Sequence, residues 1–498
     1  MAAKPLMIQG TGSHVGKSVL VAALCRIFAD DGFEVAPFKA QNMALNSFVT
    51  KDGHEIGRAQ AVQAFAARKE PRVEMNPVLL KPTGDTGAQV VFLGKPIGNM
   101  TAREYHEFKP KALVAIKACY EKLAAENDII VIEGAGSPAE VNLKENDIVN
   151  MTIAKLFKAP VLLVGDIDRG GVFAWLLGTL ELLDPDEREL VRGFIINKFR
   201  GDLSILKPGL DFLERRTGKP VLGVVPYFQF RIHEEDSVAL ESWRGSREDA
   251  EVKVDVILLP HISNFTDFDA LEKEPDVSLR YVRLGEDLRA DADAIILPGT
   301  KNTIHDLLDL KKSGLAAQIL RTHERGTLIV GICGGFQMLG RLVVDESGVE
   351  SAVRRAEGLG LLDAVTLFEK DKITHQVVAA SNLPFYDGRV EGYEIHMGRT
   401  LSKEKNAFTI LKRSDQEVFE RDGAFSAEKN VFGTYIHGIF DNNAFRRAFV
   451  NFLRLRKGLE PLKMGRVLDL DRECDKLAAV VRRSLDMDRI YNIIGLRA

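Results

Sequence analysis

Cys333 stands in LIVGICGGFQMLG (328–340), between an apolar run and a pair of glycines. That pattern puts a cysteine at a tight strand-to-helix corner with its sulfur above the sheet. There the thiolate is favoured and can attack an acyl carbon. Gly334 and Gly335 leave room for an acyl group and let a backbone N–H face the developing oxyanion. Gly299 or Thr300, in ILPGTKN, is the candidate for the second donor. A buried structural cysteine is the bland alternative, but paired glycines are costly inside an ordinary core element. The thiolate needs a base. His437 in GTYIHGIFD ends an apolar β-run and is best placed, His396 in GYEIHMG competes with it, and spacing alone does not choose.

A second signature lies far upstream. IQGTGSHVGKS (8–18) gives the strand, glycine-rich turn and helix start that a phosphate loop requires. Thr11, Gly12 and Gly16 line the turn, whose amides would face the phosphates of ATP. Lys17 would reach the β- and γ-phosphates, and the Ser18 hydroxyl would help hold Mg²⁺. The turn is one residue longer than the usual G-x-x-x-x-G-K-[ST] spacing. Partition-type ATPases carry an extra lysine near the start of a related loop, where Thr11 stands here. Glu133, in VIEGAGS, ends a predicted strand and is a candidate Mg²⁺ ligand, directly or through water. The alternative is a carboxylate that caps the next turn. Asp166 and Asp168, in GDIDRGG, either bind metal or substrate or stabilise their own turn.

These residues need rigid elements behind them. Residues 6–10, 128–136, 159–167, 192–199 and 220–228 read as buried strands ending in turn residues. Helical spacing of apolar residues covers 18–30, 112–126 and 171–183 between them. The alternation predicts a parallel sheet covered on both faces. Residues 236–251 are charged and aperiodic, as a linker would be. A second α/β series follows with strands at 252–260, 292–300 and 326–332, then a β-rich part that includes 431–440. In the last 50 residues Leu477, Val480, Val481 and Leu485 form a helical stripe. The expected domains are therefore 1–235, the ATP-dependent part; 252–445, the thiol-bearing part; and a helical extension at 446–498.

At 498 residues the chain is too long for one core, and its 45 % apolar and 28 % charged composition is that of an ordinary globular protein. A net charge of −4 gives no basic face for nucleic acid. No run approaches a membrane span, and no secretory leader is expected. The four cysteines form no CxxC pair, which argues against a zinc site or a disulfide framework and for a reducing cytoplasm.

Taken together, the two signatures resemble the cobyric acid synthases, glutamine-hydrolysing members of the cobyrinate-amidating family. The resemblance covers nearly the whole chain. The first half looks like the dethiobiotin-synthetase-type P-loop ATPases, which share the lengthened loop and the VIEGAG strand end. The second half looks like a class I glutamine amidotransferase domain carrying GICGGFQMLG, GYEIHMGRT and GTYIHGIFD. The stretch 39–82, KAQNMALNSFVTKDGHEIGRAQAVQAFAARKEPRVEMNPVLLKP, is the most discriminating, and DIDRGGVFA (166–174) agrees with it. By composition alone 39–82 is a polar loop followed by an amphipathic helix.

The resemblance implies an α/β fold, ATP and Mg²⁺, and glutamine and a corrinoid as substrates. It implies Cys333 as nucleophile, His437 as base, Lys17, Ser18 and Glu133 at ATP and Mg²⁺, and Asn197 in IINKF at the adenine edge. Many class I amidotransferases have a glutamate two residues after the histidine, whereas this chain has Ile439 there. Either a dyad suffices or another acid, such as Asp441, orients the imidazole. The nearest rival is the related cobyrinic acid a,c-diamide synthase. A positioning ATPase with a vestigial amidotransferase domain is more remote. A homo-oligomer is compatible with the resemblance.

Overall fold

The structure, a computed structural model, describes residues 3–83, 87–228, 249–426, 428, 430–464 and 469–496. Of the expected linker at 236–251, residues up to 248 lie outside those described. The apolar runs of the first half form one six-stranded parallel sheet. Its order is Val221–Pro226, Val191–Phe199, Val161–Asp166, Lys4–Gly10, Ile129–Glu133, Val35–Phe38. Parallel strands buried on both faces need such uninterrupted apolar runs. Register brings the polar residues together at one edge, since Ile8 pairs with Glu133, Gly10 with Val164 and Asp166 with Asn197. That carboxyl edge is where ligands bind in parallel sheets.

The helix Lys17–Asp30 leaves this edge and is buried on nearly every side from Leu20 to Phe28. Two layers cover it. The sheet lies beneath, and the helix Leu470–Ser484 returns from the far end of the chain, placing Cys474, Leu477, Ala478 and Val481 in the same core as Leu20 and Leu24. Arg26 reaches Asp471 at 2.5 Å. Leu485 bridges Gly223, in the edge strand of the sheet. The helix expected at 112–126 begins ten residues earlier and spans Ala102–Glu126, because Thr101 and Glu104 make a reciprocal capping box ahead of Pro110.

Residues 39–82 are more structured than their composition implies. They contain the strands Gln41–Met43 and Val78–Pro82 of a four-stranded sheet, the hairpin Ser47–Val49 with Glu55–Gly57, and the helix Arg58–Ala66. Buried amides hold this block, with Asn42 Nδ2 donating to Gln60 Oε1 at 2.9 Å and Asn76 donating to the Lys39 and Val78 carbonyls.

The second half is built on a six-stranded sheet. Its order is Val277–Arg283, Val252–Leu258, Ala294–Leu297, Leu328–Ile332, Val431–Thr434, Ala424–Ser426, with the last pair antiparallel. A separate β-layer is organised around the long pair Ala364–Ser381 and Arg389–Ser402. The apolar run 431–440 is a strand only as far as Thr434, because Asp422 accepts from the Thr434 hydroxyl and from the Tyr435 N–H and turns the chain there. The helix Asn443–Arg456 crosses position 445 and buries Phe445, Phe449, Val450 and Leu453 in the core of the second half. Each buried phenylalanine contributes roughly 1.5–3 kcal/mol.

The hairpin 47–57 of the first half is lodged against the β-layer of the second. Gln376 Nε2 donates to the Val49 carbonyl at 2.9 Å, Thr374 Oγ1 to the Gly53 carbonyl at 2.8 Å, and Lys372 meets Glu55 at 2.5 Å. Glu55 also pairs with Lys81. Burial acts to raise its carboxyl, but Lys372 and Lys81 overcome that and hold it below the usual carboxylate range. Burial pushes Lys372 down to about 8.

Candidate active site

At the sheet edge of the first half, Gly16 turns the chain with φ 99° and caps the helix Lys17–Asp30. A Cβ there would lie 2.1 Å from Asn197 Nδ2, so only glycine fits. Asn197 donates from the same nitrogen to the Val15 carbonyl at 2.8 Å, bracing the loop. Lys17 Nζ donates to the carbonyls of Gly12 at 2.7 Å and Gly136 at 3.1 Å, which folds its ammonium over the turn. Thr11 is fixed by its N–H on the Val164 carbonyl, and its buried hydroxyl has no hydrogen-bond partner.

Glu133 is 1 % exposed and is the hub of this edge. Ser18 Oγ donates to Glu133 Oε1 at 2.8 Å, Lys39 Nζ to the same oxygen at 2.9 Å, and Gln63 Nε2 to Oε2 at 2.5 Å. Asp166 braces the loop at one remove. Its Oδ2 holds Lys198 Nζ at 2.8 Å, and that ammonium donates to the His14 carbonyl at 2.6 Å. Asp168 pairs with Arg200 at the surface at 3.0 Å. Thr11, Gly12, Gly16, Lys17, Ser18, Glu133 and Asn197 thus converge on one edge.

Those groups fit a magnesium nucleotide. The orphaned Thr11 hydroxyl, the Lys17 ammonium and the loop amides suit phosphate oxygens. The Ser18 hydroxyl and the Glu133 carboxylate are hard oxygen donors of the kind Mg²⁺ takes alongside phosphates and water. Among the described residues no group of three or more His, Cys, Asp and Glu side chains could hold a metal ion by itself.

In the second half Cys333 occupies the corner between Leu328–Ile332 and the short helix Gly334–Leu339, with φ 49° and ψ −108°. Strain of this kind persists where packing over-determines it. Here the Cys333 N–H is held by the Thr434 carbonyl at 2.8 Å, and a Cβ at Gly335 would lie 1.9 Å from the Leu297 carbonyl oxygen. His437 is 1 % exposed and is bridged by its backbone to Tyr393, whose ring stacks on the imidazole at 5.3 Å. Its Nδ1 meets Asp267 Oδ2 at 2.6 Å, while the Gly438 N–H donates to Asp267 Oδ1 at 3.0 Å. Burial acts to lower the His437 pKa, but Asp267, with a smaller contribution from the Cys333 side chain, raises it to about 10.

Gly299 packs against this imidazole, since a Cβ there would come 2.9 Å from His437 Cε1. Gly334 faces the next turn residue, with its Cβ position 3.1 Å from the Thr300 nitrogen. Cys333, His437, Gly299 and Gly334 are therefore brought together.

Two expectations are adjusted. His396, the competing histidine, stacks on Tyr435 at 3.8 Å and turns Nδ1 to the Gly398 carbonyl at 2.8 Å. Asp441, the acid suggested beside His437, instead meets Arg58 at 3.5 Å, and the carboxylate on the imidazole is Asp267. Asp267 lies in the 3-10 turn Phe265–Phe268, within NFTDFDALE, a stretch without period or glycine motif to mark it.

A family model for the CobQ/CobB/MinD/ParA nucleotide binding domain matches residues 6–236, and one for the CobB/CobQ-like glutamine amidotransferase domain matches 253–445. The chain is 54 % identical to the cobyric acid synthase of Streptococcus sanguinis, covering 99 % of both chains. The chain belongs to the cobyric acid synthase family.

Two further members of that family, from Thermoanaerobacter sp. and Moorella thermoacetica, are each 53 % identical to it. The first match covers 98 % of both chains, the second 99 % of this chain and 98 % of the relative. The cobyric acid synthase relatives thus span both sites, including the block 39–82. Among the described residues no helix is long and apolar enough to cross a membrane.

Proposed function

We propose that the chain is a glutamine-hydrolysing amide ligase of cobalamin biosynthesis. It would convert four peripheral carboxylates of adenosylcobyrinic acid a,c-diamide into amides, giving adenosylcobyric acid. The observation that carries this reading is the end-to-end similarity to the cobyric acid synthase of Streptococcus sanguinis, over 99 % of the chain. We assign ATP-dependent activation to 1–235 and glutamine hydrolysis to 252–445, and the setting to the cytoplasm.

At the thiol, His437 takes the Cys333 proton, and Asp267 holds the resulting imidazolium in place. The sulfur attacks the side-chain amide carbon of glutamine. The N–H groups at Gly334 and at the Gly299–Thr300 turn face the oxyanion that forms. His437 then returns its proton to the leaving nitrogen, releasing ammonia, and water hydrolyses the thioester to glutamate. At the other site Lys17 and the loop amides stabilise the γ-phosphoryl group of ATP as it passes to a corrinoid carboxylate. Ser18 and Glu133 would hold Mg²⁺, which supplies charge neutralisation at the phosphates. Asn197 braces the loop at Val15, and because an amide has a second N–H and an accepting oxygen, the same side chain can also meet the adenine edge. Ammonia displaces phosphate from the acyl phosphate and leaves the amide.

The test uses product mass and a divided assay. Given glutamine, MgATP and the a,c-diamide, the protein should yield a corrinoid carrying four added amides, and Cys333→Ser should abolish this with glutamine but not with ammonium chloride at alkaline pH. Loss of both activities in a folded Cys333→Ser chain would sink the division of labour. Two amides added to cobyrinic acid would sink the substrate assignment.

A further inference from the structure

The carboxylate on His437 is not positioned by its own domain alone. Asp267 sits in a turn that opens at Asn264, a buried residue with φ 52°, and the Asp267 N–H donates to the Asn264 carbonyl at 3.0 Å. Asparagine adopts this left-handed conformation more readily than most residues. Across the domain boundary the two chains of backbone are hooked reciprocally. Asn264 Oδ1 accepts the N–H of Ser47 at 2.9 Å, and Asn46 Oδ1 accepts the N–H of Phe265 at 3.1 Å. Asn46 and Asn264 are 1 % and 2 % exposed, so each hook is out of water. Losing either leaves a buried N–H unsatisfied.

The hook is anchored on the ATP side as well. The Asn46 carbonyl accepts the N–H of Arg58, the first residue of the helix Arg58–Ala66, at 3.2 Å. Gln63 on that helix donates to Glu133. A second contact runs in parallel, with the Phe48 ring 6.0 Å from that of Tyr393, which stacks on His437.

We infer that Asn46 and Asn264 are positioning residues through which the ATP-binding half fixes the Asp267 turn, so that glutamine hydrolysis is competent only while the 46–47 segment is seated. This rests on the reading of Cys333 and His437 as the hydrolytic pair. Its chemistry is direct. An imidazole whose carboxylate partner drifts is misoriented toward the thiol, and displacement by about 1 Å is enough to cost on the order of 10²-fold in rate.

The experiment uses the full chain with Asn46→Ala, Asn264→Gly and, in parallel, Cys333→Ser. Asn264→Gly keeps the left-handed turn and removes only the hook, so the proposal stays testable if Asn46→Ala folds poorly. The expected result for both variants is a glutaminase kcat lowered by roughly 10- to 100-fold, with KM for glutamine little changed. The alkaline limb of the pH–rate profile should move to lower pH as His437 loses part of its hold on the proton. Amidation driven by ammonium chloride should run at the unaltered rate. Unchanged glutaminase in both variants, with Cys333→Ser inactive, would overturn the proposal and leave the thiol reading standing. Equal loss of the ammonia-driven activity would make the hook a mere fastener and overturn it too. A Cys333→Ser chain that still hydrolyses glutamine would overturn the thiol reading, and the proposal with it.

Discussion

Cys333 and Lys17 each stand at a glycine-bearing corner behind an apolar strand, yet the two corners are held in different ways. At Cys333 the protein supplies every partner itself, with a strained backbone pinned by the Thr434 carbonyl, an imidazole already on Asp267, and glycines at 299 and 334 where any larger residue would intrude. At Lys17 the partners are stand-ins. The lysine folds onto the Gly12 and Gly136 carbonyls, and Glu133 is occupied by Lys39, Gln63 and Ser18. On the proposed reading, a nucleotide and its metal would compete for those positions. If the proposed roles hold, the difference teaches that the acyl site is organised before its substrate arrives, whereas the phosphate site would be organised by exchange of protein contacts for ligand contacts.

That contrast can be broken by substitution. The largest effect is expected for Asp267→Asn, which should lower glutaminase kcat by on the order of 10³- to 10⁴-fold while ammonia-driven amidation persists. A steady-state assay with each nitrogen source reads it. Lys17→Ala should do the reverse, lowering ATP-dependent amidation by about 10³-fold with either nitrogen source and sparing glutamine hydrolysis. Gly299→Ala should cost glutaminase about 10²-fold by displacing the imidazole, with little change in thermal stability. The smallest effect sharpens the comparison. His437 has a folded pKa raised to about 10 from its ordinary 6.5, so its contribution to stability is complete below 6.5 and is lost as pH rises to about 10. Thermal unfolding followed across that window should show this decline, and Asp267→Asn should flatten it.

How much of this was legible in the letters depends on distance along the chain. The strands, the Lys17 helix and both corners were readable because apolar runs and glycine turns are local signals. The acid beside His437 was not, because Asp267 is 170 residues away in sequence and carries no motif, whereas the nearby Asp441 faces Arg58 instead. The block 39–82 looked like a polar loop followed by a helix. The helix is there, at Arg58–Ala66, but the strands around it were missed because their order comes from buried amides satisfying one another, such as Asn42 with Gln60, and not from a hydrophobic period. The run 431–440 looked like one strand because nothing in its apolar pattern reveals that Asp422 turns it at Thr434. The stripe at Leu477 and Val481 was visible, but not the surface it covers.

That surface has a consequence for how the polypeptide comes into being. The helix behind the phosphate loop completes its core with Cys474, Leu477, Ala478 and Val481, on a segment whose Asp471 is synthesised 445 residues after the Arg26 it pairs with. Nascent domains usually fold in order of emergence. Here one oily flank of the helix Lys17–Asp30 stays uncovered until the segment at 470–484 has been made, so the first domain's core closes only after the second domain has been synthesised.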